Sequence, residues 1–527
     1  MLFNSLSFLI FFPVVVGIYF IIPRKVRWVW LLIASYYYYM SWNAKYALLL
    51  AASTGITWLS GLLIASYYYY MSWNAKYALL LAASTGITWL SGLLIDRFNN
   101  GQPNSGRNKK LVVAASFLCN LAILFIFKYF HFGLSALNKV LRLFHISAVQ
   151  SSFSVLLPVG ISFYILQALS YTMDVYRGKV KVEKNIFKYA LFVSFFPQLV
   201  AGPIERSQDL LPQILVPHDF DFDRVKRGLW MMLWGFFQKL VIADRLAMFV
   251  NTVYGDPANY LHGGVVNLTA MIFFAFQTYA DFAGYSNLAL GAAEVLGFRL
   301  TTNFVRPFFS VNITEFWVRW HVSLSRWFVN YLYIPLGGNR VGTFRKYVNV
   351  MIVFLASGLW HGADWTFLVW GGLNGLISIT ERLVTPLWRK LRAVLGFNDR
   401  SGLMKCVQSA YVIFMFGFVQ VFFRSGSLNQ ALDFLRGMCR LDPYDFFNGK
   451  LLGYGMDHVN FTITALSLLV LFAVAWLTRD GSSLRDKLEV QPLVLRWGVI
   501  IAAIAVVVLF GVYGPGFDAS QFIYFQF

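Results

Sequence analysis

Two histidines carry the chemistry available to this sequence. His361 stands in Trp360-His361-Gly362, inside an apolar stretch (347–380) whose only other ionisable side chains are Asp364 and Tyr347. Taking such a group into a bilayer costs free energy, so an ionisable residue there is a functional candidate by default. A neutral imidazole accepts a proton, or forms a covalent intermediate through a ring nitrogen. Asp364 follows three residues on, a spacing that puts two side chains on one helical face, and could orient the ring. His321 lies upstream in EFWVRWHVSLSRW (315–327) and could position a reactant. Hydrogen-bonded packing histidines show the same pattern, so the residues alone leave both readings open. His131, His145, His218, His262 and His458 fall near loops or expected helix ends and read as solvated or interfacial.

The elements that must hold these residues are membrane helices. Of the 527 residues 58% are hydrophobic and 13% charged. That is about half the charge of a soluble domain, which carries roughly 25%, and it excludes an ordinary soluble globular protein. Apolar runs near the ~20-residue bilayer length recur at 5–22, 111–127, 152–176, 186–203, 228–242, 264–280, 347–380, 406–423, 459–477 and 497–513. They do not alternate in polarity as barrel strands would, so the expected fold is all-α and polytopic. The first run lacks a basic leader and a small-residue cleavage site, and reads as a retained helix. The net charge of +20 resides in short loops: Arg24, Lys25 and Arg27; Arg107, Lys109 and Lys110; 177–188; 224–227; and 382–392. This matches cytoplasmic loops facing anionic lipid, with the N-terminus outside, and not nucleic-acid binding. The three cysteines are scattered, with no metal-ligand spacing and no disulfide framework.

Residues 31–64 and 62–95 are identical, an exact tandem with a period of 31. It reads as a recent duplication or a sequence-assembly artefact, because functional solenoid repeats need several copies. Keeping the basic loops around Lys25 and Lys109 on one side requires an even number of crossings between them, so one copy is expected not to span normally. Tyr36–Tyr39 and Tyr67–Tyr70 would then be interfacial aromatics. The chain divides at this level into N-terminal helices (1–110), a central core (111–424) and C-terminal helices (425–527).

Polar residues interrupt the apolar segments of the core. Pro158 can break a helix, and residues 195–206 read as a helix end with a re-entrant turn. Gln277 and Asp281 share a helical face, Asn303 and Arg306 follow, and Asp281 with Arg319 is the expected buried ion pair. The segment 315–330 reads as one helix, at the interface or wedged in the bundle, and YIPLGGNR (333–340) as a turn.

Seven of these words occur in order: PVGISFYILQALSYTMDVYRG (158–178), FFPQLVAGPIER (195–206), YADFAGYSNLALG (279–291), NFVRPF (303–308), EFWVRWHVSLSRW (315–327), YIPLGGNR (333–340) and SGLWHGADWTFLVWGG (357–372). Together they resemble the membrane-bound O-acyltransferase family, and within it the bacterial polysaccharide O-acetyltransferases of the alginate type; the terminal FIYFQF (522–527) is similar too. The resemblance implies a ring of roughly 11–13 membrane helices around a funnel, with short interfacial and re-entrant helices. It implies a bacterial inner-membrane enzyme with no bound cofactor. The donor would be acetyl-CoA or an acyl carrier thioester from the cytoplasmic side. The acceptor would be an extracytoplasmic polysaccharide or an SGNH-type acetyltransferase. The family's essential histidine falls on His361 and its second on His321; Trp360, Asp364, Asp281, Arg319, Gln277 and Asn303 are supporting candidates. The loops 177–188 and 382–392 could dock an acidic carrier protein. D-alanyl transfer to teichoic acid is the near alternative. A transporter, or a non-catalytic subunit of an export complex, is the alternative from another class, although no inverted halves are visible.

Overall fold

The computed structural model describes residues 6–31, 34, 80–99, 105–150, 160–199, 202–256, 263–395 and 401–513, and every regular element among them is helical. In chain order these are α1 (Leu6–Ile21), α2 (80–97), α3 (Ser105–Leu143), α4 (Ile161–Tyr176), α5 (Ile186–Ser194), α6 (Ser207–Ile214), α7 (Phe222–Phe236), α8 (Asp244–Gly255), α9 (Gly264–Leu296), α10 (Ile313–Arg319), α11 (Val322–Phe328), α12 (Thr343–His361), α13 (Trp365–Val394), α14 (Gly402–Arg424), α15 (Leu428–Met438), α16 (His458–Leu477) and α17 (Leu493–Phe510). A π-helical turn, Phe237–Ala243, joins α7 to α8. Among the described residues α3, α9, α14, α16 and α17 are long and apolar enough to cross a membrane. The chain is a polytopic helical membrane protein. The first copy of the tandem (apart from residues 31 and 34), Pro158, both tyrosine clusters and FIYFQF lie outside the described residues.

Local sequence explains where helices begin. Asn185, Asn312, Ser401, Ser427 and Asp457 each accept a backbone N–H two or three residues on, satisfying donors a helix start leaves open.

The chain forms two compact units. The first contains residues 1–229 and 289–301, the second 230–288 and 302–527. In unit one, polar side chains join apolar helices. Ser84 of α2 bonds Asn120 of α3 at 2.5 Å, Ser116 of α3 meets Thr172 of α4 at 3.2 Å, and Tyr189 of α5 donates to Thr88 of α2 at 2.7 Å. Such bonds hold helices together where lipid gives apolar contacts little advantage. The end of the second tandem copy is thus a packed helix, with Ser84, Thr88 and Ile95 fully buried. Glu205, in the turn before α6, is also buried and accepts both the backbone N–H and the hydroxyl of Thr301. Burial pushes its carboxyl up to about 7, against the lowering by those two bonds.

In unit two the apolar stretch around His361 folds back as a hairpin of α12 and α13. Gly358 makes the close approach possible: a Cβ there would stand 2.3 Å from the Phe367 carbonyl oxygen and 3.2 Å from the Gly371 Cα. Both obstacles are backbone, so Gly358→Ala must push the helices apart. We expect a destabilisation of about 1–3 kcal/mol, read as a lower melting temperature in detergent. An unchanged melting temperature would mean the two axes can separate freely.

Candidate functional site

His321 sits at a break that the sequence does not announce. The expected single helix over 315–330 is instead two seven-residue helices, α10 and α11, with Trp320 and His321 between them. His321 is buried, with a left-handed backbone (φ 45°) that costs a non-glycine residue free energy and persists only where surroundings impose it. A strap from 303 to 305 imposes it here. The Val322 N–H donates to the Asn303 carbonyl and the Val305 N–H to the Arg319 carbonyl, each at 2.9 Å. The fully buried Asn303 amide fixes the strap, donating to Ser286 Oγ at 3.0 Å and accepting from Ser323 Oγ at 2.6 Å. The His321 ring lies edge-on to Phe282 of α9, with centroids 4.7 Å apart.

His361 is the last residue of α12. Its ring lies 5.1 Å from Trp370, 5.4 Å from Phe423 and 6.5 Å from His321, centroid to centroid. Trp360 stands near both imidazoles, 4.8 Å from His361 and 6.0 Å from His321. The two histidines line one cavity of about 570 Å3, together with Trp317, Trp320, Phe354 and Ser357. Three cations, Arg326, Lys346 and Arg382, also line it, and among the described residues no carboxylate does. The buried Trp317 indole N–H has no acceptor among the described residues.

The remaining expected residues lie off this wall. Asp364 is not on the helical face of His361, because α12 ends at His361 and α13 begins at Trp365. It caps α13 instead, accepting from the Thr366 N–H at 3.0 Å. The expected ion pair of Asp281 with Arg319 is also corrected. Arg319 pairs with Glu315 one turn earlier on α10, while Asp281 lies 2.7 Å from Lys239 Nζ. Lys239 is equally close, 2.7 Å, to Asp244, and all three side chains are at most 5% exposed. Gln277 is buried on α9 one turn before Asp281, and Asn303 acts on the strap rather than in the cavity.

Lys239 and Asp244 are residues that the sequence reading passed over. Their signal was present: a lysine inside the apolar run 228–242, with a carboxylate five residues on. The π-helical turn and a close contact at Gly235, where a Cβ would stand 2.7 Å from the Gly284 carbonyl, bring Lys239 to α9. Among the described residues no three metal-ligating side chains converge.

With this geometry established, known proteins give a consistent answer. The sequence model of the membrane-bound O-acyltransferase family matches residues 181–423. The probable alginate O-acetylase of Pseudomonas putida is 33% identical over 434 residues, 82% of this chain and 79% of its own length. The peptidoglycan O-acetyltransferase of Helicobacter pylori is 32% identical over 475 residues, 84% of this chain and 80% of its own. A teichoic acid D-alanyltransferase of Streptococcus thermophilus is 28% identical over 48% of this chain and 63% of its own length.

Proposed function

This chain belongs to the membrane-bound O-acyltransferase family, and from that premise we propose that it moves an acetyl group from a cytoplasmic thioester to hydroxyls of an extracytoplasmic polysaccharide. Delivery is direct, or through an SGNH-type acetyltransferase on the outer side. The chain is an O-acyltransferase and a multi-pass protein of the bacterial cytoplasmic membrane; that its relatives transfer acyl groups sets aside the transporter and non-catalytic readings. The observation that carries the proposal is the cavity shared by His321 and His361, with cations and, among the described residues, no carboxylate in its wall.

His361 is the general base. It takes the proton of the acceptor hydroxyl as the oxygen attacks the thioester carbonyl, forming a tetrahedral oxyanion. The C–S bond then breaks, the ester C–O bond remains, and the proton passes from the imidazolium to the departing thiolate. His321 positions the acceptor. Arg326, Lys346 and Arg382 suit the phosphates of coenzyme A or of a phosphopantetheinyl carrier. A glycan acceptor is favoured over teichoic acid because the alginate and peptidoglycan O-acetyltransferases match about four fifths of the chain, against about half for the D-alanyltransferase.

The test is reconstitution in proteoliposomes with labelled acetyl thioester on one side and a glycan, with or without a soluble SGNH-type partner, on the other. Label is expected to appear in alkali-labile ester on the glycan or partner. Label that stays with the donor under all acceptor conditions refutes the proposal.

A further inference from the structure

We propose that unit one holds a binding site for the phosphate headgroup of an anionic phospholipid, built by Arg24, Arg27 and Lys188. A cavity of about 200 Å3 lies between the end of α1, α5 and the turn after α6. Trp28, Leu191 and Phe298 form apolar wall, and the three cations form its polar side.

Arg27 is a fixed part of the frame. Its guanidinium donates to the carbonyls of Phe20 and His218, its Nε to that of Ile22, and it leans over the Tyr19 ring at 5.4 Å. Those carbonyls neutralise none of its charge, and its one ion pair among the described residues, with Asp219, is long at 3.8 Å. Arg24 pairs with Asp219 at 2.8 Å, but both side chains are more than 60% exposed, so water and salt screen the pair. Lys188 is half-buried and forms no ion pair among the described residues. Three cations therefore face one exposed carboxylate, and the cavity carries an uncompensated positive charge.

Position selects the occupant. Arg24 lies three residues beyond the end of the apolar helix α1, whose terminal Ile21 is 83% exposed. Cations beside the end of an apolar helix suit headgroup depth, and basic groups mark the cytoplasmic leaflet, where anionic lipid attracts them by ~1 kcal/mol per residue. An amphiphile can place its phosphate between Lys188 and Arg24 and its apolar part along Ile21 and Trp28. A soluble anion uses only the first of these. The site shares no lining residue with the cavity of His321 and His361 and does not rest on the acyl-transfer reading.

The test follows lipid retention, not transfer. Purified full-length protein is equilibrated with micelles containing phosphatidylglycerol, phosphatidylcholine or inorganic phosphate alone, then examined by native mass spectrometry and thermal melting. Phosphatidylglycerol is expected to be retained and to raise the melting temperature, with neither effect from the other two. Lys188→Gln should weaken retention about fivefold, and Lys188→Arg should restore it. Equal retention by Lys188→Gln, or equal protection by phosphate alone, overturns the assignment. A Lys188→Gln protein that keeps its lipid yet loses binding to an acidic carrier protein also overturns it, in favour of a protein partner.

Discussion

His361→Ala is expected to lower acyl transfer about 10²–10⁴-fold, the contribution of a positioned general base, while the protein inserts and accumulates normally. The ring ends α12 and borders the cavity, whereas the hairpin it belongs to is held by the Gly358–Gly371 approach, which the substitution leaves alone. His361→Gln keeps a polar group of similar reach without a base and should fall as far. His321 needs a different substitution, because its left-handed backbone is expensive for alanine and tolerated by asparagine. His321→Asn should therefore preserve the strap and show what the imidazole itself contributes. Single-turnover transfer of labelled acetyl, normalised to membrane-inserted protein, reads both effects. Near-native turnover by the His361→Ala protein would end the general-base assignment.

Lys239→Met is expected to give the largest loss of stability, about 3–5 kcal/mol. Lys239 is the ion-pair partner of both Asp244 and Asp281, and removing it takes the shared cation from two buried carboxylates. Replacing the whole cluster, with Lys239→Met, Asp244→Asn and Asp281→Asn together, should recover most of that loss, because breaking a buried pair is far more costly than removing it entirely. The comparison is a melting or graded-denaturant series in detergent. If the single variant melts with the wild type, or the triple variant is as unstable as the single, the cluster does not stabilise the protein through charge pairing.

The sequence told most about features fixed by composition over many residues. The apolar runs at 264–280, 406–423, 459–477 and 497–513 correspond to α9, α14, α16 and α17, since hydropathy over a bilayer length needs no knowledge of neighbours. His361 was visible because an ionisable ring in such a run is rare. What stayed hidden was set by contacts distant in sequence. Nothing in EFWVRWHVSLSRW, which has no Gly or Pro, marks the break at Trp320–His321; the 303–305 strap makes it through backbone pairing. Asp364 was misplaced because a three-residue spacing assumes an unbroken helix, and Gly362 stands where α12 stops. Gly362 was a readable stop signal. Asp281 was assigned the wrong cation because a partner on a packed helix cannot be chosen by spacing along the chain.

The π-helical turn at Phe237–Ala243 bears on how this part of the chain can vary between descendants. Loss of one residue from that turn, with a return to ordinary winding, would leave the helices on either side nearly in phase, because the wider turn is what holds the extra residue, and would change only the local spacing between Lys239 and Asp244. Exchange of one apolar residue for another there leaves the phase untouched. A one-residue change in length disturbs the neighbouring helices far less at the turn than inside α7 or α8, where each lost residue rotates everything beyond it by about 100°, so gaps among descendants should gather at the turn.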